Sequence, residues 1–308
     1  MLSTTAPLFS IIVPTRNRAH LLEAGLRSVL AQDRADLELI VVDDGSTDRT
    51  PAVCAALAAE DPRVRVVRCE HPGGAPAARN RGAQLARGEF LAFNDDDCIW
   101  ARDRLSSAAA LFAAHGSVLG MVYCAAESLR DGARKRVLRY ANPRHVGTVA
   151  VVLRRSVFEA VGGFDEALPR WQDLDLWIRV QSRYKACAEN RILVRNFDSG
   201  TGISGNTEAL RKAAMRLLDK YADGRWLSRP AQAQLHLELG HRLMFLGCPQ
   251  EARAHFWAAL RCAPARLRAW LSLLFGCTWT LPYRACATLA QRIYDAWHPG
   301  PTLTRGAF

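Results

Sequence analysis

The stretch GEFLAFNDDDCIW, Gly88 to Trp100, decides the reading of this chain. Residues Glu89 to Phe93 form a short apolar run with aromatics, opened by a glycine, and read as a strand. That strand runs directly into Asn94, Asp95, Asp96 and Asp97. Adjacent carboxylates repel one another, and acidic residues are depleted in strands. Two explanations compete. A solvated turn would use Asp and Asn as ordinary turn formers. A hard-cation site would use the same carboxylates for Mg²⁺ or Mn²⁺, which commonly sit between one or two carboxylates and substrate phosphates.

The surrounding sequence favours the second explanation. Runs rich in β-branched and other apolar residues recur at Phe9–Val13, Leu37–Val42, Val64–Arg68, Leu119–Cys124 and Thr148–Leu153. Segments of helical periodicity separate the first of them, at about His20–Ala31, Arg49–Glu60 and Ala75–Ala86. Strands alternating with helices predict βαβ units and a mostly parallel sheet. Ligands of such sheets bind outside the carboxyl ends of the strands. The four loops at those ends read PTRNRAH, DDGSTDRT, EHPGGAPAARNRG and NDDDCIW. All four are polar, acidic or glycine-rich, and parallel strands would open them on one edge.

Composition excludes several classes. With 308 residues, 49% hydrophobic and 23% charged, the chain is an ordinary globular one of one or two domains. The nine cysteines show no CxxC or zinc-finger spacing, which predicts reduced thiols and a cytoplasmic setting. The opening MLSTTAPLFSIIVP lacks the basic region of a signal peptide. The longest apolar stretch, Ala269–Tyr283, falls short of the roughly 20 residues of a spanning helix. No GxxxxGK[ST] phosphate loop is present.

Further along, VGGFDEALPRWQDLDLWIRVQSR places a turn at Gly162-Gly163 and an amphipathic helix from Asp173 onward. Asp173 and Asp175 lie in its first turn, where a carboxylate can serve as a cap.

The blocks SIIVPTRNR, ELIVVDDGSTD, GGAPAARNRGAQLARGEFLAFNDDD, and GGFDE followed by QDLDLWIR resemble family 2 glycosyltransferases. Four independent blocks agree in order and spacing over about Phe9 to Arg183. The resemblance implies an α/β GT-A fold: a Rossmann-like, mostly parallel sheet flanked by helices. It also implies transfer of a sugar, with inversion, from a nucleoside-diphosphate sugar to an acceptor hydroxyl, in synthesis of a cell-envelope polysaccharide or glycoconjugate. On this resemblance Pro14, Thr15 and Arg16 cradle the nucleotide, and Asp44 accepts from the base. Arg79 meets the nucleotide or diphosphate. Asp97 is the main ligand of a Mg²⁺ or Mn²⁺ ion, with Asp95 a second ligand, and Asp95 or Asp96 reaches the ribose or a metal-bound water. Asp173 is the general base. A UDP-sugar donor and a sugar or lipid-linked acceptor follow from the same resemblance. Two positions depart from the family pattern. Gln172 stands where Glu is frequent, and Asp198 lies where a His often follows the last strand. The rival enzyme, a sugar nucleotidyltransferase, would open with a Gly-rich phosphate loop and a lysine, and neither stands near the first strand. A degenerate transferase-like scaffold is the non-enzyme rival, and intact Asp44, Asp97 and Asp173 argue against it.

The organisation expected is a catalytic domain over residues 1–207 and a helical region over 208–308 that includes one tetratricopeptide-like helix pair. Residues 200–308 hold 14 Lys and Arg against 6 Asp and Glu, so +8 of the +11 net charge falls there. No nucleic-acid-binding motif accompanies this charge. With Trp257, Trp270, Trp279 and Trp297, it predicts peripheral contact with the inner face of a membrane, or a tail that only covers apolar surface.

Overall fold

The computed structural model describes residues 6–130, 133–138, 143–197, 207–221, 227–245, 247–266, 269–273 and 304–305. The chain divides into two compact units, residues 1–204 with 301–308, and residues 205–300.

The first unit begins as its hydrophobic runs dictate. Strands β1 (Phe9–Thr15) and β2 (Leu37–Asp43) are buried along all seven residues of each. Such runs fit strands covered on both faces, the normal state of a parallel sheet. Helices α1 (Ala19–Leu30), α2 (Thr50–Glu60) and α3 (Gly74–Leu85) alternate with β1, β2, β3 (Val64–Arg68) and β4 (Phe90–Phe93). These four strands are mutually parallel, in the order β4-β1-β2-β3. The chain leaves β1 in one direction to build β2 and β3, then returns to place β4 on the other side of β1. Such a switch point opens a crevice at the carboxyl ends of the two strands. Here it brings the loop after Thr15 beside the loop after Phe93.

The rest of the unit comprises β5 (Cys98–Trp100), α4 (Arg104–His115), β6 (Leu119–Arg130), β7 (Ala133–Leu138), β8 (Val151–Arg154), α5 (Arg155–Ala160), α6 (Gln172–Gln181) and β9 (Lys185–Phe197). Strand β8 fills the gap between β4 and β6 and is antiparallel to both. The strand expected over Thr148–Leu153 is shorter at its start, because Thr148–Ala150 form a 3-10 turn. The reason is the ladder: β4 pairs only from Val152 and β6 only from Val151, so earlier residues have no partner. Near the start of β2, between β1 and β3, Glu38 is buried. It accepts from Ser10 Oγ and Arg87 N at 2.7 Å and from Arg65 at 2.9 Å. Burial works against its charge, but these donors outweigh it and hold the carboxyl below its usual range.

The second unit is helical: α7 (Thr207–Tyr221), α8 (Arg229–Phe245), α9 (Pro249–Cys262) and helical residues 269–273. Its core is built from Ala233, Leu237, Leu243, Ala252, Phe256, Ala259, Leu260, Ala269 and Leu273. Among the described residues, no helix is long and apolar enough to cross a membrane. Asp198, Trp279, Trp297 and most of the Ala269–Tyr283 stretch lie outside the described residues.

A histidine pair in this unit carries a pH prediction. His236 Nδ1 and His255 Nδ1 lie 3.2 Å apart, so one donates and the other accepts. Burial, then the neighbouring His255 and Arg261, push His236 down to about 4, and burial lowers His255 as well. The unfolded chain therefore takes up protons near pH 6.5 that the folded pair refuses. Stability from this source is present above pH 6.5 and is lost as pH falls toward 4, on the order of 2 kcal/mol after solvent screening. His236→Gln should melt higher relative to wild type at pH 4.5 than at pH 7.5. An equal difference at both values would contradict this.

Candidate active site

The loop after β1 is clipped to the loop after β2. Asn17 adopts a left-handed backbone (φ 55), which Asn tolerates better than most residues. Its N–H donates to Ser46 Oγ at 2.9 Å, and its Oδ1 accepts from Thr47 N at 2.8 Å. Arg18 N donates to Thr50 Oγ1 at 3.0 Å, and Asp44 N to the Thr15 carbonyl at 2.9 Å. Pro14 and Thr15 are buried at the end of β1, whereas Arg16 is exposed and has no polar partner among the described residues.

Asp44 follows β2 and ties a third loop to it. Its two oxygens accept from Gly73 N and Gly74 N, each at 2.8 Å. Gly74 has φ +84 and begins α3, so a carboxylate stands at a helix N-terminus, where the dipole favours it. Each oxygen keeps a second lone pair for a ligand.

The acidic turn closes the constellation. Asn94 N donates to the Ile12 carbonyl, Asn94 Nδ2 to the Cys98 carbonyl at 3.1 Å, and Cys98 N to the Asp95 carbonyl. Thr15 Oγ1 donates to Asp96 Oδ2 at 3.1 Å. Arg79, buried on α3, reaches Asp95 Oδ1 at 2.6 Å. Phe197 N donates to the Asp97 carbonyl, which joins the turn to β9. Gly25 of α1 permits this packing: a Cβ there would meet the Cys98 carbonyl at 3.1 Å and approach those of Asp96 and Asp95. Burial, then the charges of Asp95 and Asp97, push the Asp96 carboxyl up to about 6. Burial and Asp95 also raise Asp97, opposed by the Cys98 thiol and by Arg18.

Asp173 stands in the first turn of α6, where its Oδ1 accepts from Leu174 N at 2.8 Å. The preceding Trp171 is left-handed (φ 59), an uncommon backbone for so bulky a residue. Helix α6 is anchored by a buried pair, Asp175 with Arg179 at 2.5 Å, and Arg179 also donates to the Gly163 carbonyl at 2.7 Å. From the other side, Asn80 on α3 accepts from Phe164 N and donates to the Phe164 carbonyl, both at 2.9 Å. The GGFDE turn is thus gripped by α3 and α6 together.

The structure therefore joins Thr15, Arg79, Asp95 and Asp96 by direct contacts, with Asp97 in the same turn. Asp44 lies across the β2 and α3 loops, and Asp173 on α6. The sequence reading missed Asn17, Ser46, Asn80, Arg179 and Gly25, which hold these loops. Nor did it single out Arg18, whose positive charge opposes the raising of Asp96 and Asp97. Only the NR of PTRNR hinted at it.

A divalent cation can be tested against this turn. Three carboxylates gather with two of them raised by burial and mutual repulsion, and a hard cation relieves both effects. Among the described residues no ready cluster of three or more ligating side chains exists. Mg²⁺ and Mn²⁺ need only one or two carboxylates when phosphate oxygens and water complete the shell, and the turn supplies those carboxylates. The donor set fits.

A family model described as glycosyl transferase family 2 matches residues 10–162. A PGL/p-HBAD biosynthesis glycosyltransferase from Mycobacterium bovis is 32% identical over 196 residues, which is 62% of this chain and 74% of the relative. Two solved structures share the fold. The Pyrobaculum calidifontis mannosyltransferase PcManGT, in complex with GDP-Man and Mn²⁺, aligns with TM-score 0.60 and 24% identity over 96% of this chain and 87% of its own. Staphylococcus aureus TarS 1-349, in complex with UDP-GlcNAc, aligns with TM-score 0.59 and 18% identity over 82% of this chain and 88% of its own.

Proposed function

Because the chain belongs to glycosyl transferase family 2 and has the GT-A fold, we propose that it transfers a sugar from a UDP-sugar to a hydroxyl of a sugar or lipid-linked acceptor. The reaction belongs to synthesis of a cell-envelope polysaccharide or glycoconjugate and inverts the anomeric centre. The observation that carries this reading is the acidic turn at the β1/β4 switch point, bound to Thr15 on one side and Arg79 on the other.

Residues Pro14 and Thr15 form the wall of the nucleotide site, and the free lone pairs of Asp44 accept from the imide N–H of uracil. Asp97, with Asp95, would hold Mg²⁺ or Mn²⁺, and when bound the ion neutralises charge on the departing diphosphate. Arg79 keeps Asp95 in place. Arg16 flanks the nucleotide beside Thr15, and Arg18 adds positive charge near the acidic turn. Asp173 takes the proton of the acceptor hydroxyl as its oxygen attacks the sugar C1. The C1–O bond to the diphosphate breaks, and its electron pair leaves with the nucleoside diphosphate. We assign residues 1–207 to this chemistry. Residues 208–308 we assign to peripheral contact with the inner face of the membrane, on the cytoplasmic side, and not to nucleic acid.

Incubation with a panel of nucleoside-diphosphate sugars and Mn²⁺ tests the reading. Slow donor hydrolysis, or a raised melting temperature, with one UDP-sugar and not with nucleoside triphosphates is expected. Nucleotide transfer from a triphosphate to a sugar phosphate would overturn it.

Asp44 carries a two-part expectation. Asp44→Ala frees two backbone donors at the start of α3, so stability should fall by about 1 kcal/mol. Nucleotide affinity should fall by roughly 1–3 kcal/mol with metal or without it, because the partner is the base. A melting curve and a nucleotide titration with and without EDTA separate the two effects. Unchanged affinity would remove the base-recognition role.

A further inference from the structure

We infer that the face formed by Trp257 of α9, between Arg253 and Arg261, together with Trp270 and Leu271 of helical residues 269–273, is the element that docks this chain on an anionic lipid surface. The inference rests on the peripheral-contact reading of the helical region and locates it. Helix α9 buries Ala252, Phe256, Ala259 and Leu260 in the core of its unit. Trp257 lies on the opposite face and is 53% exposed. Trp270 (43% exposed) meets it edge-on, with ring centroids 6.3 Å apart, and Leu271 (41% exposed) follows. These two tryptophans are therefore surface groups of their unit, not anchors of its core. The Trp270 indole N–H is already satisfied by the Pro264 carbonyl at 3.0 Å. What the pair offers outward is apolar ring surface.

The charge carried by the sequence of this stretch is of one sign. Arg253 and Arg261 stand four residues before and after Trp257, which places them on the same helical face. From Arg253 to Leu273 the sequence contains no acidic residue, while its described part holds Arg253, Arg261 and Arg266. Glu251 itself is paired with Arg211 at 3.1 Å. An exposed apolar patch with tryptophan and leucine, flanked by arginines and built from a stretch without acidic residues, matches the interfacial layer of a bilayer with anionic headgroups. Indole rings sit at headgroup depth, long cationic side chains reach the phosphates, and the aliphatic group enters the acyl boundary. A solvated face would interleave acids with the arginines. A lipid headgroup layer is the partner this chemistry selects.

Vesicle flotation of the full chain tests the face. Wild type should float with phosphatidylglycerol-containing vesicles at low salt, bind phosphatidylcholine vesicles at least tenfold less, and lose binding as salt rises. The double variant Trp257→Ala, Trp270→Ala should partition roughly tenfold less at every salt concentration. Arg253→Gln with Arg261→Gln should lose about tenfold, and only at low salt. Melting curves and nucleotide binding like those of wild type show that the variants are folded. Wild type that never floats overturns the peripheral reading and the face together. Flotation retained by both variants leaves the peripheral reading standing and overturns this face. Single-stranded RNA that displaces the protein from vesicles at comparable concentration overturns the lipid assignment. So does a self-association, seen without vesicles, that the Trp variant abolishes.

Discussion

Replacing Asp173 by Asn should lower kcat by about 10²–10⁴-fold, the usual contribution of a positioned general base, and leave donor affinity where it was. The substitution discriminates sharply because the structural role of this residue survives it. Asp173 sits in the first turn of α6 and accepts a backbone hydrogen bond from Leu174 through Oδ1. An amide oxygen accepts that bond equally well, and Asn caps helices as well as Asp does. Fold and melting temperature should hardly move. The anchors of α6, the Asp175–Arg179 pair and its bonds to the GGFDE turn, are untouched by the change. What the change removes is the negative charge and, with it, the capacity to take a proton. Wild-type kcat in the Asn variant would leave Asp173 a structural residue and send the search for a base elsewhere.

Asp97→Asn should abolish turnover, and here the effects on stability and activity should point in opposite directions. Three carboxylates share the turn from Asp95 to Asp97, and burial with mutual repulsion raises Asp96 to about 6 and Asp97 above the usual carboxylate range. Removing one charge relieves that repulsion, so the metal-free variant should be as stable as wild type or slightly more so. The Asn oxygen still accepts from the Cys98 thiol, which lies 3.5 Å from Asp97. A cation site loses much of its field when a charged ligand becomes neutral. The rise in melting temperature that Mn²⁺ gives wild type in the presence of nucleotide should vanish. A variant that turns over normally, in particular with EDTA present, would end the metal role of Asp97.

The parts of this site that could be read from sequence share one physical property: each is written in consecutive residues. Strands buried on both faces demand near-continuous apolar runs, so β1, β2 and β4 stood out, and with them the loops at their ends. Three carboxylates after such a strand conflict with burial and point to a ligand. The missed features depend on contacts between distant segments. Asn17 clips Ser46 and Thr47, 29 and 30 residues away, and Asn80 grips Phe164 across 84 residues. Arg16 and Arg18 flank the same asparagine, whose left-handed turn changes the course of the chain between them, and the charge of Arg18 bears on the acidic loop. Arg79 reaches Asp95 across 16 residues, a contact that the sequence alone does not show. The antiparallel insertion of β8 follows from which neighbours remain unpaired, a property of the whole sheet.

The central claim is that nucleotide and divalent cation meet at the acidic turn beside Thr15. Calorimetric titration of UDP into the wild-type chain, with Mn²⁺ and then with EDTA, measures it directly, with Asp97→Asn and Asp44→Ala as references. Binding that strengthens at least tenfold with Mn²⁺ is the expected result. That enhancement should be lost in Asp97→Asn, and Asp44→Ala should weaken binding in both conditions. UDP binding that is indifferent to Mn²⁺ in wild type, or that keeps its full Mn²⁺ enhancement in Asp97→Asn, would contradict the account.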